Sequence, residues 1–557
     1  MRRIADFPGA RGRGTLDRLP PDEDAKGQMT AKISISSVPT IPKLVARAAA
    51  LFADRSAIEE GALRLTFAEL AAACLESARA FLAAGIQPGD RVAIWAPNCS
   101  EWILAAIGLQ SAGAVLVPVN TRFKAAEAGY VLAKSGARLF CTTGEFLGMN
   151  YADSLAEHRP STLERIITFQ GSSIAGEPWT KFLAAGSAVP ASDALARIDT
   201  IGPDDYADIM FTSGTTGRPK GVISTHRQNL RVFEAWSEVV GLREGDRYLI
   251  VNPFFHAFGY KAGWLASIMR GATMLPHQVF DAEVVLGRIS NEKISVFPGP
   301  PALFQSILAL PNLAEHDISS LRLAVTGAAV IPVTLVERMR DELGFESVVT
   351  GYGLTECSGA VTMCRHDDDP VTIATTSGRA LPDVEVRCVD GDGREVPRGE
   401  AGEIVVRGYN VMVGYFEDEA ATRETIDAEG WLHTGDVGTL DAAGYLRITD
   451  RIKDMYIMGG FNCYPAEIEN QIFTLDGVAQ VAVIGVPDER MGEVGMAFVV
   501  PKPGSALTAE SIIAWCREQM ANYKVPRSVR LVDALPMNAT GKVTKFALRE
   551  QAARELG

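Results

Sequence analysis

A chain of 557 residues, at about 150 residues per domain, has room for three or four folding units. Its 47% hydrophobic and 22% charged residues exclude a mainly disordered chain, a collagen-like repeat and a small disulfide scaffold. With 54 Lys and Arg against 68 Asp and Glu, the formal net charge of −14 argues against non-specific binding to nucleic acid or an anionic membrane, although a local basic pocket could still hold an anion.

Residues 1–38 are rich in Gly, Pro and mixed charge, with Asp6, Asp17, Asp22, Glu23 and Asp24 among the arginines and no apolar core behind them. They read as an unstructured leader rather than a secretion signal, and Met29 is an alternative start. From Pro39 to about Leu195, helical and strand patterns alternate. Leu65–Gly85 carries apolar residues at helical spacing, opens at the N-cap candidate Thr66 and stops at Gly85. Residues 88–98 (PGDRVAIWAPN) follow as a turn and a buried strand, Glu101–Ala112 as a second helix and 114–120 (AVLVPVN) as another strand. The apolar run Trp102–Val119 is interrupted by Gly108, Gln110, Ser111, Gly113 and Pro118, which suits a buried helix and strand better than about 20 lipid-facing residues. Residues 247–254, 294–301 and 321–328 read as further strands, so a parallel-rich sheet covered by helices is expected.

Near Gly378 the texture changes to short strands between Gly and Asp turns, the pattern of hairpins and of a barrel-like subdomain. After Asp450 it becomes mixed: 465–475 and 511–523 read as helices and 478–488 as a strand. The boundary is placed at Asp450–Asp454, which gives an N-terminal domain 39–450 and a small C-terminal α+β domain 451–557. Eight scattered cysteines (Cys74, Cys99, Cys141, Cys357, Cys364, Cys388, Cys463, Cys516) form no CxxC pair and read as reduced thiols of a cytoplasmic protein.

The most informative segment is Thr212–Gly221, TSGTTGRPKG. Glycines let backbone N–H groups crowd an anion, the hydroxyls of Thr212, Ser213, Thr215 and Thr216 donate further bonds, and Lys220 supplies charge. It is not the GxxxxGK[ST] loop, because no Ser or Thr follows a GK pair at the required spacing. A polar surface turn is the plain alternative. Later motifs follow in order: Tyr352–Glu356 (YGLTE), Gly430–Asp436 (GWLHTGD), Asp450–Asp454 (DRIKD), Gly459–Glu467 (GGFNCYPAE) and Asn538–Lys542 (NATGK).

Together these segments resemble the signatures of AMP-forming acyl-CoA synthetases of the adenylate-forming superfamily, over nearly the whole chain from about Pro39. The resemblance implies an α/β fold with a large N-terminal domain and a small mobile C-terminal one. It also implies nucleotide contacts from Thr212, Ser213, Gly214, Thr215, Thr216, Gly217, Lys220, Gly327, Ala328, Gly351, Tyr352, Gly353, Thr355, Asp436, Arg451 and Lys542. Tyr352 would lie beside adenine, Thr355 at the α-phosphate, and Asp436 and Arg451 on the ribose. Glu356, with Thr216, would hold Mg²⁺, for which a hard oxygen ligand is suited. Lys542, Thr216, Glu356 and Lys220 form the expected catalytic set. Lys542 would bridge the attacking carboxylate and the α-phosphate, where two anions must meet. Lys453 marks a hinge, and Gly459, Gly460, Phe461 and Asn462 line a passage for the thiol arm of CoA. Phe255, His256, Lys261, Trp264, Gly299 and Gly327 are expected around the acyl pocket, Lys261 as a donor to a ring ketone or as a surface lysine packed on aromatics.

The implied reaction is ATP-dependent: a carboxylate becomes an acyl-adenylate with loss of pyrophosphate, and CoA then displaces AMP. Subfamily segments are most similar to bacterial ligases of lipid and steroid degradation, especially those acting on the propanoate left on steroid C and D rings. Medium-chain fatty acids and aryl-propanoids stand as alternatives. Loading of a carrier protein, a catalytically dead scaffold and a light-emitting oxygenase are the readings from other classes. A cytoplasmic enzyme without integral membrane association or nucleic-acid partner is expected, with a homodimer as one assembly open to it.

Overall fold

The computed structural model describes residues 38–171, 173–212, 219–327, 331–451, 454–458, 461–488, 491–520, 522–537 and 543–556. The expected first helix spans Phe67–Ala83. Thr66 accepts the Glu69 N–H and Glu69 reaches back to the Thr66 N–H, a reciprocal cap worth about 1 kcal/mol. The second helix, Ser100–Ser111, is apolar all round and accordingly buried.

An eight-stranded sheet forms around it. Its order is Gly414–Tyr415, Lys220–Thr225, Tyr206–Thr212, Val115–Pro118, Arg91–Trp95, Leu139–Thr142, Arg165–Thr168 and Glu177–Pro178. The pairs from Tyr206–Thr212 onward are parallel, while the first two strands run antiparallel. A second sheet orders Arg247–Ile250, Thr273–Pro276, Ser56–Glu60 and Leu63–Thr66. A third orders Leu323–Thr326, Ser347–Tyr352, Thr362–Met363 and Arg379–Ala380. The strand expected at 294–301 is reduced to single bridges from Val296 to Tyr248 and to Leu323. Pro298, Pro300 and Pro301 remove the donors a longer ladder would need, and Pro301 opens the helix Pro301–Leu308 instead.

The hairpin-rich part is an antiparallel sheet of Glu385–Val389, Gly402–Arg407, Leu432–Leu440 and Leu446–Arg451, paired in that order. One apolar core runs from Val38 to Leu446 and another from Tyr456 to Ala552. The second packs under a sheet of Phe461–Cys463, Tyr456–Met458, Gly492–Pro501, Val478–Asp488 and Ser528–Leu531, with helices Pro465–Phe473, Ala509–Gln519 and Lys545–Leu556. All eight cysteines are buried and none is in a disulfide. Among the described residues no helix is long and apolar enough to cross a membrane.

Candidate active site

The antiparallel hairpin Tyr206–Thr212 and Lys220–Thr225 closes with Thr212 directly opposite Lys220, and the Thr212 hydroxyl donates to the Lys220 carbonyl at 3.4 Å. Ser213, Gly214, Thr215, Thr216 and Gly217 lie outside the described residues. The Lys220 ammonium stands 4.8 Å from the centre of the Tyr415 ring. The Tyr415 hydroxyl donates to Glu356 Oε1 at 3.0 Å, and the Met412 N–H donates to the Glu356 carbonyl at 2.8 Å. Glu356 sits on the single 3₁₀ turn Thr355–Cys357. Burial, reinforced by the Glu356 carboxylate, pushes the Tyr415 phenol above its ordinary pKa and keeps it a donor. Glu356 Oε2 has no hydrogen-bond partner among the described residues. A half-buried carboxylate with one oxygen held and the other open fits a Mg²⁺ ion shared with phosphate oxygens.

Tyr352 and Asp436, 84 positions apart, are brought into contact: the phenol donates to Asp436 Oδ2 at 2.6 Å. Burial and then the Asp436 charge push the Tyr352 phenol well above its usual pKa. Asp436 pairs in register with Arg451 across the antiparallel strands, so the two residues expected at the ribose occupy facing positions of one ladder. The glycines around Tyr352 are required by close approach. A Cβ on Gly353 would stand 2.1 Å from the Gly359 carbonyl oxygen, and one on Gly351 would stand 2.6 Å from that of Thr362. Gly327 ends the neighbouring strand beside Thr350. Replacing Tyr352 with Phe removes one hydrogen bond from a nearly buried carboxylate. The expected result is a KM for ATP raised about tenfold, with kcat changed less than about twofold. Steady-state kinetics with ATP varied will check it, and an unchanged KM would reject the pinning role.

The sequence-expected Phe255, His256 and Thr355 share a narrow cleft with Phe123, Met210 and Phe211. His256 caps the short helix Ala257–Gly259, its Nδ1 accepting the Phe258 N–H. Gly299 donates its N–H to Val325, on the strand that leads to Gly327.

Lys261 and Trp264 do not fit the role expected of them. Both lie in the π-helix Tyr260–Leu265 and are fully buried. The Lys261 ammonium stands 3.1 Å from Asp208 Oδ1 and donates to Ser224 Oγ at 3.1 Å, so it is neither a ketone donor at an open pocket nor a surface lysine. Trp264 stacks on Tyr260 at 4.7 Å and meets Trp102 edge-on, inside the apolar core.

In the smaller unit, Phe461 and Asn462 lie on a strand that pairs with Tyr456–Met458, Met458 facing Phe461. Gly459 and Gly460, which join the two strands, lie outside the described residues, as do Ala328, Lys453 and Lys542. Tyr415, Met210, Phe211 and Phe123 escaped the sequence reading. They belong to no motif, and only the pairing of Gly414–Tyr415 with Lys220–Thr225 brings Tyr415 to the site.

Comparison with known proteins agrees with this geometry. Residues 45–416 match the AMP-binding enzyme family, and residues 467–542 match the AMP-binding enzyme C-terminal domain. A 7a-methyl-1,5-dioxo-octahydro-1H-inden-4-yl propanoyl:CoA ligase of Rhodococcus jostii is 51% identical over 92% of this chain and 98% of its own. The ligase of the same name from Mycobacterium tuberculosis is 49% identical over 93% and 99%. The ATP-bound crystal structure of MatB from Rhodopseudomonas palustris superposes with a TM-score of 0.82 at 30% identity, over 92% of this chain and 99% of that one.

Proposed function

Because the chain belongs to the AMP-binding enzyme family and is an AMP-forming acid–thiol ligase that uses ATP and CoA, we propose that its acid is a propanoate borne on a fused-ring ketone of the steroid type. The likeness at about half identity to two ligases named for such an acid carries this reading. The cleft supports it: Phe211, Phe255 and Phe123 offer flat apolar walls.

In the first half-reaction a carboxylate oxygen bonds to the α-phosphorus, the bond to the β-phosphate oxygen breaks, and pyrophosphate leaves. In the second the CoA sulfur bonds to the acyl carbon, the carbon–oxygen bond to AMP breaks, and the thiol proton is lost to solvent. Asp436, bonded by Tyr352 and in register with Arg451, would accept the ribose hydroxyls. Lys220, at the mouth of the hairpin, supplies positive charge to the phosphates. Glu356 would hold Mg²⁺, with Thr216 as the expected second oxygen ligand; the ion's part is to neutralise phosphate charge. Lys542 would serve the first half-reaction, and the 459–462 turn the second.

Eight buried cysteines without a disulfide fit a reducing cytoplasm. Sedimentation will decide between a monomer and a homodimer. Pyrophosphate release measured across fatty, aryl-propanoic and ring-ketone propanoic acids, with and without CoA, tests the substrate. The bicyclic ketone propanoate is expected to exceed octanoate in kcat/KM by at least about tenfold, roughly 1.4 kcal/mol of transition-state binding. A better rate with octanoate would overturn the ring assignment and leave the ligase chemistry standing.

A further inference from the structure

We propose that Tyr415 is a positioning residue that keeps Lys220 and Glu356 apart, so that the cation is left for phosphate and the carboxylate for magnesium. The inference rests on the ligase reading and concerns the same site. Lys220 and Glu356 carry opposite charges on neighbouring elements, one ending the hairpin and the other on the 3₁₀ turn. Left alone they would pair and cancel, which would cost the site both functions at once. They are not paired: no ion pair joins them among the described residues. The side chain of Tyr415 engages both instead, its ring face 4.8 Å from the Lys220 ammonium and its hydroxyl 3.0 Å from Glu356 Oε1.

Each end of this spacer suits what it touches. An aromatic face attracts an ammonium without neutralising it, and so holds Lys220 while leaving its charge to an anion. The phenol donates one hydrogen bond to one carboxylate oxygen, so Glu356 keeps its charge and its second oxygen.

The spacer is itself fixed. Tyr415 pairs with Val222 on the strand that begins at Lys220, its N–H donates to Thr422 Oγ1 at 2.9 Å, and the Phe416 N–H donates to the Gly221 carbonyl at 2.7 Å. The Met412 N–H ties the same segment to the Glu356 carbonyl. Two short anchors thus set the height of Tyr415 against both partners. A tyrosine held this way by backbone on two sides is placed by the fold and not by the ligand.

Calorimetric titration with ATP, in magnesium and in EDTA, separates the two halves of the proposal. Tyr415→Phe keeps the ring and removes the hydroxyl. It is expected to weaken MgATP binding about tenfold while metal-free ATP binding stays within about twofold and the melting temperature holds. Tyr415→Ala removes the spacer and should weaken metal-free ATP binding by a further factor of about ten, because Glu356 then captures Lys220. Adding Glu356→Gln to Tyr415→Ala should restore metal-free binding, a recovery that mere loss of packing would not give. MgATP binding by Tyr415→Phe equal to that of the parent, or no recovery in the double variant, would overturn the spacer role. A parent chain that binds no MgATP would instead overturn the ligase reading on which it rests.

Discussion

Lys542→Ala is expected to slow acyl-adenylate formation about a hundred- to a thousandfold, while thioester formation from a supplied adenylate falls less than about threefold. The first half-reaction drives a carboxylate against an anionic α-phosphate, and a cation placed at that meeting point stabilises charge that exists only in the transition state. Loss of such a group costs about 3–4 kcal/mol when a positioned donor is removed elsewhere. The described residues on either side of the NATGK segment are themselves fixed. Met537 and Val543 form an antiparallel bridge across the base of the NATGK segment, and the Thr544 N–H donates to the Pro536 carbonyl at 2.8 Å. The helix Lys545–Leu556 follows at once, with Lys545 paired to Glu469 at 2.8 Å and Arg549 to Asp454 at 3.0 Å. The second half-reaction exchanges sulfur for AMP at the acyl carbon and makes no such demand on this lysine. ATP–pyrophosphate exchange and single-turnover thioester formation, measured separately, are the test. Equal losses in both would refute the division of labour.

The parts of the site that the sequence made legible are those written in local order. Gly351–Glu356 (GYGLTE) packs two glycines, a phenol, a hydroxyl and a carboxylate into one strand end and one turn, and the glycines are forced by backbone contacts that no side chain could survive. Thr66 and Glu69 announce a helix start because both halves of the cap lie three residues apart. Asp436 and Arg451 became facing neighbours through a hairpin whose Gly444 turn can be read directly from the chain. Contacts between distant strands carried no such signal. The Tyr415 hydroxyl reaches a carboxylate 59 positions away, and the GY pair that carries it looks like an ordinary edge strand of two residues. The 294–301 strand failed for the opposite reason, since a convincing apolar run was overruled by three prolines within it.

The misreading of Lys261 has a geometric cause. Residues 252–264 mix aromatics with a lysine, and at a helical period of 3.6 the lysine is free to face a pocket. The chain instead makes a π-turn, whose wider i→i+5 spacing rotates Lys261 inward onto Asp208. Its partner lies 53 positions upstream, on the strand Tyr206–Thr212, directly opposite Ser224. Asn229 completes the group by donating to Asp208 Oδ2 at 2.6 Å, and Gln110 donates to the Tyr260 hydroxyl at 3.0 Å.

Lys261→Met is accordingly expected to destabilise the larger unit by about 3–5 kcal/mol, the cost of leaving one member of a buried ion pair uncompensated. Burial lowers the Lys261 pKa against the pull of Asp208, so the pair exists because the two charges face one another and not because the site is wet. After the substitution the Asp208 carboxylate keeps only Asn229 and the neighbouring phenol in a region that is fully buried. Removing the charge as well should undo most of the damage, because a neutral, well-filled replacement of a buried pair is often close to neutral overall. The double variant Lys261→Met with Asp208→Asn is therefore expected to recover most of the lost stability. Thermal unfolding of the parent, the Lys261→Met and Asp208→Asn single variants and the double variant supplies the comparison. Activity gives an independent reading: at a temperature where Lys261→Met is folded, its preference between a ring-ketone propanoate and octanoate should match the parent's within about twofold, since the ammonium touches neither acid. A selective loss of the ketone-bearing substrate, with stability preserved, would return Lys261 to the acyl pocket and refute its placement as a brace beneath the nucleotide hairpin.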